Sequence, residues 1–221
     1  MTADLHLIIA NKAYSSWSLR PWIALKAQNV PFRETVICLD QPDTSEKIKA
    51  FSPTGKVPAL QHGDTVVWDS LAILEYLAET FPDKSWWPAA KKARALARSI
   101  SAEMHSGFAN LRTNMTMNVR KSLPGVGHGP LVDVDIARIT AMWQEARAAH
   151  GKGGPYLFGA FSNADAMYAP VVTRFKTYGV KLDPVSQAYC DAVLAHPSMR
   201  EWYISAAGEP WIIAKYEAKA L

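Results

Sequence analysis

Cysteine is almost missing: the 221 residues contain two, Cys38 and Cys190, far apart and in no paired spacing. A disulfide framework or a zinc site needs more ligands in tighter clusters, so both are excluded. The two thiols read instead as small buried hydrophobes. No apolar run approaches the roughly 18 residues that span a bilayer, so no membrane helix is expected. Met1 to Ala10 has neither a basic n-region nor a long apolar stretch, which points to a cytoplasmic chain without a secretory signal. Charge of one sign is equally scarce, with 24 Lys and Arg against 20 Asp and Glu for a net +4. The basic cluster Lys91, Lys92, Arg94 and Arg98 has helical spacing and reads as one solvated face, so no nucleic-acid partner is expected. Internal repeats and low-complexity segments are absent too. What remains is an ordinary globular composition, 49% hydrophobic and 20% charged, with length for one large domain or two small ones.

The first eighty residues alternate between strand and helix patterns. Leu5 to Ala10 is a short apolar run with branched residues, the pattern of a buried strand. A polar loop follows. From Ser18, read as an N-cap with Pro21 in the first turn, Trp22, Ile23 and Leu25 supply the apolar face of a helix that ends at Asn29 and Pro31. Arg33 to Leu39 reads as a second strand and Thr44 to Phe51 as a short helix. Val57 to Gln61 and Thr65 to Trp68 flank His62-Gly63-Asp64 as a β-hairpin. Asp69-Ser70 opens a helix closed by Pro82. The order β-α-β-α-β-β-α is the thioredoxin-like arrangement: a parallel unit whose sheet is completed by a hairpin.

After residue 90 strand alternation stops. Lys91 to Met117 reads as one long helix and Asp133 to Ala149 as another. Ser162 to Asp165 is a capping box, with Asp in place of Glu and Phe161 at the staple position, opening a helix to about Lys176. Two shorter helices follow near 184–195 and 197–207. The expected architecture is therefore a thioredoxin-like α/β domain over 1–82, a linker over 83–89 carrying Trp86 and Trp87, and an all-helical domain over 90–221.

Three positions carry chemistry, each with a plainer reading beside it. Ser15-Ser16-Trp17-Ser18 occupies the turn that in thioredoxin-like redox proteins holds Cys-x-x-Cys, so dithiol exchange is excluded at this place. A hydroxyl at a helix N-terminus can instead donate a hydrogen bond to a bound thiolate, with the helix dipole assisting; the same serines can also be simple caps. Pro53-Thr54-Gly55-Lys56-Val57-Pro58 precedes an edge strand, where a cis Val57-Pro58 bond would turn the Val57 backbone outward to pair with an extended peptide; a trans loop is the alternative. At Asp69-Ser70 the serine hydroxyl and free amides suit a carboxylate and Asp69 an ammonium, or the pair is a plain N-cap. Read together, the three match a thiol-bearing peptide with an α-amino-acid end: γ-glutamyl-cysteinyl-glycine, glutathione.

On these residues the sequence resembles the cytosolic glutathione transferases over nearly its whole length, through Ser15 to Ser18, Pro53 to Leu60, Asp69 to Ile73 and Ser162 to Asp165. The serine-type turn is similar to the zeta class, which includes maleylacetoacetate isomerases. There the turn reads Ser-Ser-Cys, and here Trp17 replaces the cysteine. The resemblance implies Ser15 as the thiolate partner with Ser16 close by. It also implies Trp17, Lys56, Val57 and a cis Pro58 around the tripeptide, Asp69 and Ser70 at its γ-glutamyl head, and a homodimer. Glutathione would be the co-substrate, without metal.

A second substrate would sit between the serine turn and the helix after residue 100. Met104, Phe108, Leu111 and Met115 recur at helical spacing, as a core stripe or as an acceptor wall. His105, Arg112, Asn114 and Arg120 lie on adjoining faces. Arg112 suits a carboxylate-bearing acceptor, or an interhelix salt bridge. The expected activity is transfer of glutathione to a small electrophile. A glutathione-dependent cis-trans isomerase and a non-catalytic binding module are the rivals.

Overall fold

A computed structural model describes residues 4–217; the outermost residues of both expected domains, 1–3 and 218–221, lie outside the described residues. The sheet half runs β1 (Leu5–Ala10), α1 (Ser16–Ala27), β2 (Arg33–Ile37), α2 (Thr44–Lys49), β3 (Ala59–His62), β4 (Thr65–Trp68) and α3 (Ser70–Thr80). The helical half follows as α4 (Lys91–Ser106), α5 (Ala109–Asn114), α6 (Pro130–His150), α7 (Asn163–Tyr178), α8 (Pro184–Ala195) and α9 (Pro197–Ala207).

The sheet order is β2-β1-β3-β4, with β1 parallel to β2 and antiparallel to β3. Placed centrally, β1 is covered on both faces, so Leu5, Leu7, Ile8, Ile9 and Ala10 are all buried and its sequence is apolar without alternation. The β3–β4 hairpin pairs Leu60 with Val67 and turns at Gly63, whose φ of 56° favours glycine. This is the thioredoxin-like topology expected. α1 packs on α7, which is buried along nearly its whole length, so one apolar core runs from the sheet into the helices. Trp86 is buried in that core; its Nε1 donates to the Phe81 carbonyl and its own carbonyl accepts from Asn163 N at 2.7 Å. The capping box forms: Asp165 accepts from the amides of Ser162 (2.8 Å) and Leu157 (3.1 Å), while burial pushes its carboxyl pKa up to about 6.

Several expectations are corrected. The N-cap of α1 is Ser15, not Ser18: Ser15 is extended and accepts from Ser18 N, so the helix starts at Ser16 and Pro21 falls inside it. There Pro21 lacks the N–H that would bond the Trp17 carbonyl. The single helix over 91–117 is two. Phe108 adopts φ 60° in the left-handed region, and the chain turns at Gly107, where a Cβ would lie 2.8 Å from the Glu103 carbonyl oxygen. α6 begins at Pro130, the N1 position that tolerates proline, rather than at Asp133. β2 and α2 stop two residues short of the ends expected, and Cys38 is half-buried while Cys190 is buried.

Candidate active site

The turn before α1 is held by the backbone. Tyr14 N and Ser15 N both donate to the Asn11 carbonyl, which presents Ser15 as the cap. Ser15 Oγ donates to Ser18 Oγ at 2.7 Å, and Ser18 Oγ accepts from Ala10 N at 3.0 Å, so the cap is tied back to the end of β1. Ser16 is half-buried. The Val57-Pro58 bond is cis. At α3, Asp69 is the N-cap with φ 73°, and its Oδ1 accepts from Leu71 N at 2.8 Å and Ala72 N at 3.4 Å. Those two amides, expected to be open to a carboxylate, are therefore taken by Asp69 itself.

These turns meet in one cavity. Trp17, Thr54, Lys56, Val57, Pro58, Trp68, Asp69, Ser70 and His105 line about 640 Å³ at the end of the sheet. Asp69 Oδ2 faces it with His105 Nε2 3.2 Å away, so α4 supplies one wall of a cavity otherwise made by the sheet half. Burial lowers the His105 pKa; Asp69 opposes that, and Arg20 and Arg112 reinforce it. Behind Ser70 lies Arg20, fully buried, with Nη1 3.4 Å from Ser70 Oγ and an unpartnered Nε. Burial, then repulsion from Arg112 and Arg174, pulls its pKa down to about 9, which still leaves it cationic at neutral pH.

Ser15 and Ser16 line a second, smaller space of about 210 Å³ together with Tyr14, Trp17, Leu39, Arg112, Thr116, Met117, Arg174 and Tyr216. Arg174 Nε donates to the Met115 carbonyl at 2.8 Å and Nη1 to Pro170 O at 3.1 Å; burial pulls its pKa down to about 10. Arg112 donates to the carbonyls of Met104 and His105 at the end of α4, the latter at 2.7 Å, so it caps a helix and is not the interhelix salt bridge considered above. Two guanidinia in a half-enclosed wall, with the α1 N-terminus beside them, favour an anion.

The segment after α9 closes this space. Glu209 accepts from Lys12 N (2.6 Å) and Ala13 N (3.1 Å), Tyr14 OH donates to Glu217 at 2.6 Å, and Tyr216 stacks on Tyr14 at 5.6 Å. Arg120 reaches Glu209 O and Tyr14 OH; it fastens this strap and lines neither cavity. Of the acceptor residues expected, Met115 is fully buried in the core, Phe108 is the N-cap of α5 outside both cavities, and Asn114 bonds back to the Asn110 carbonyl. Only Arg112 of that set lines the smaller space. Arg20, Arg174, Tyr14 and Tyr216 were missed. The signal for Arg174 was a charge inside the apolar run Val171-Val172-Thr173-Arg174-Phe175.

The model of the glutathione S-transferase N-terminal domain matches residues 14–80. The maleylacetoacetate isomerase of Rattus norvegicus is 30% identical over 172 residues, 76% of this chain and 77% of that protein. The chain belongs to the glutathione transferase family. A probable maleylacetoacetate isomerase of Caenorhabditis elegans is 36% identical over 111 residues, 49% of this chain and 52% of the worm protein. The chain spans about half the length of the first relatives it matches. Among solved structures, a glutathione transferase homologue from Burkholderia gl BGR1, with bound glutathione, superposes with a TM-score of 0.72 at 22% identity, over 93% of this chain and 100% of that one. That likeness shows the transferase fold. Among the described residues no group of three or more His, Cys, Asp or Glu is placed to hold a metal ion, and no helix is long and apolar enough to cross a membrane.

Proposed function

We propose that this member of the family is an enzyme that binds glutathione in the larger cavity, holds its thiolate at Ser15, and presents it to an electrophilic small molecule in the smaller one. One observation carries this reading: Lys56, Val57, Pro58, Asp69 and Ser70, from separate turns, line one cavity that abuts the serine turn at Trp17. The residues fit the tripeptide. Asp69 Oδ2 offers an ammonium its counter-charge, and the Arg20 cation behind Ser70 favours a carboxylate at the Ser70 hydroxyl, the Leu71 and Ala72 amides being held by Asp69. Val57 offers backbone to the cysteinyl part, and Lys56 is exposed at the rim. A free thiol titrates near 8.5, and each unit of depression takes about 1.4 kcal/mol of preference for the thiolate. Ser15 donates its one hydroxyl proton to Ser18 Oγ, so it serves the sulfur by turning that proton from Ser18 to the thiolate; the α1 N-terminus and the nearby guanidinia add to the preference, with Ser16 beside them. In transfer, the sulfur lone pair forms the S–C bond, and an aryl or alkyl group loses its leaving group as an anion.

Isomerisation is the second reading, favoured by Arg112 and Arg174 in the smaller cavity, which suit an acceptor carboxylate. The thiolate adds to a cis double bond, the new single bond rotates, and the thiolate leaves to give the trans product with glutathione regenerated. The two-domain division at 83–89, a homodimer, a cytoplasmic location and a role in detoxification belong to the same reading.

Calorimetry with glutathione tests it first, with uptake expected at millimolar ligand. Ser15→Ala is expected to keep that affinity and lose about 10²-fold in kcat. A folded protein that takes up no glutathione ends the proposal. A variant as active as the parent removes Ser15 from the chemistry; a parent that takes up glutathione but turns over neither substrate leaves a binding module. Assaying a cis-enedione acid against an aryl halide separates isomerase from transferase.

A further inference from the structure

Trp17 lines both cavities. Two guanidinia stand against its indole, Arg20 at 4.2 Å and Arg112 at 4.9 Å from the ring centroid, and the His105 ring meets it edge-on at 5.3 Å. Arg20 is buried, and among the described residues its one hydrogen-bond contact is the 3.4 Å approach to Ser70 Oγ, with Nε unpartnered. The indole face therefore replaces much of what water would give this cation. Swinging the ring away would strand a buried charge, which holds it in place more firmly than its own partial exposure suggests. The Arg112 guanidinium is anchored independently by the carbonyls of Met104 and His105.

We propose that Trp17 sets the size of the acceptor: its indole divides the two cavities so that the glutathione sulfur alone crosses to Ser15, and an electrophile approaching Ser15 is confined to the space of about 210 Å³ on the far side. Shortening the indole joins it to the neighbouring 640 Å³ and admits a bulkier molecule. The inference rests on the acceptor assignment made above for the smaller cavity.

The test uses two unreactive carboxylates, propionate and 4-phenylbutyrate, titrated by calorimetry into the parent, Trp17→Ala and Trp17→Phe, with glutathione titrated in parallel. The parent is expected to prefer propionate by about tenfold or more, Trp17→Ala to reverse most of that preference, and Trp17→Phe to lie between. Trp17→Phe keeps an aromatic face for Arg20, so it decides the matter if Trp17→Ala fails to fold. Unchanged affinity ratios in a folded variant that still takes up glutathione overturn the partition alone. A parent that takes up no glutathione, with the ratios shifting as stated, overturns the glutathione reading and leaves the partition standing.

Discussion

The two cavities flanking Trp17 are made in different ways. The larger is lined by turns close together in sequence: the cis Val57-Pro58 loop, the capped start of α3 and the end of β4, all within the first eighty residues apart from His105. The smaller is built by side chains from distant parts of the chain, with Ser15 and Tyr14 meeting Arg112, Arg174 and Tyr216. A cavity whose lining comes from neighbouring turns of one small unit holds its shape as a set, so the first cavity suits a constant ligand. The second depends on long side chains held by burial, and it is where one substitution changes what is bound.

The sharpest way to break that contrast is Arg174→Met. The guanidinium carries the carbonyls of Met115 and Pro170 in a buried site, so its loss leaves Met115 O without its donor. The expected cost is about 3 kcal/mol in urea unfolding, with a smaller loss of glutathione affinity, because only the ligand's thiolate at Ser15 and none of the larger cavity faces Arg174. Equal loss in both measurements would mean that the two cavities are one unit. On the other side, Asp69→Ala is expected to weaken glutathione by roughly 2 kcal/mol, about thirtyfold, through the lost counter-charge. It also removes the cap of α3, at about 1 kcal/mol of stability. Calorimetry reads the first effect and urea midpoints the second. Unchanged glutathione affinity would reduce Asp69 to a cap.

The same contrast explains what the sequence made legible. The parallel β1–β2 unit, the hairpin, the Ser162–Asp165 box and the loop and helix-start residues of the larger cavity follow from local signals within a few positions of one another; the strand after Val57-Pro58, read as an edge, lies instead between β1 and β4, and Trp68 and His105 were not read as lining that cavity. The α4–α5 break was hidden because Gly107 and Phe108 sit inside a stretch whose apolar spacing stays helical. What ends the helix is the left-handed backbone at Phe108, and spacing does not encode it. Ser18 looked like the cap because Pro21 is most at home in a first turn; the bonds of Tyr14 and Ser15 to the Asn11 carbonyl move the start back. Met115 looked like an acceptor wall from its helical phase, yet the break rotates α5 so that Met115 packs inward and Arg112 turns to the cavity. The Glu209 strap and the buried Arg20 and Arg174 pair residues far apart in sequence, and no window of sequence contains both partners.

The smallest expected effect lies where the two halves touch, at His105. Its Nε2 lies 3.2 Å from Asp69 Oδ2, and its buried Nδ1 has no hydrogen-bond partner among the described residues. Arg20 from α1 and Arg112 from α5 face the ring, and Asp69 at the start of α3 is the opposing charge. A second ring proton would be a buried donor without an acceptor, between two cations, so the folded pKa lies below the ordinary 6.5, with burial as the first cause. Between that lowered value and 6.5 the unfolded chain takes up a proton that the folded one refuses. The contribution of His105 is thus complete above pH 6.5 and is lost as pH falls through the folded pKa. His105→Gln keeps a donor to Asp69 and does not titrate. The parent should therefore lose more urea stability than His105→Gln between pH 7.5 and pH 5.5, and the same comparison should show glutathione binding weakening more steeply with acid in the parent, as an imidazolium competes with the ligand's ammonium for Asp69. Parallel stability curves for the two proteins would show that His105 titrates as it does in water and that the contact between the halves at Asp69 is open to solvent.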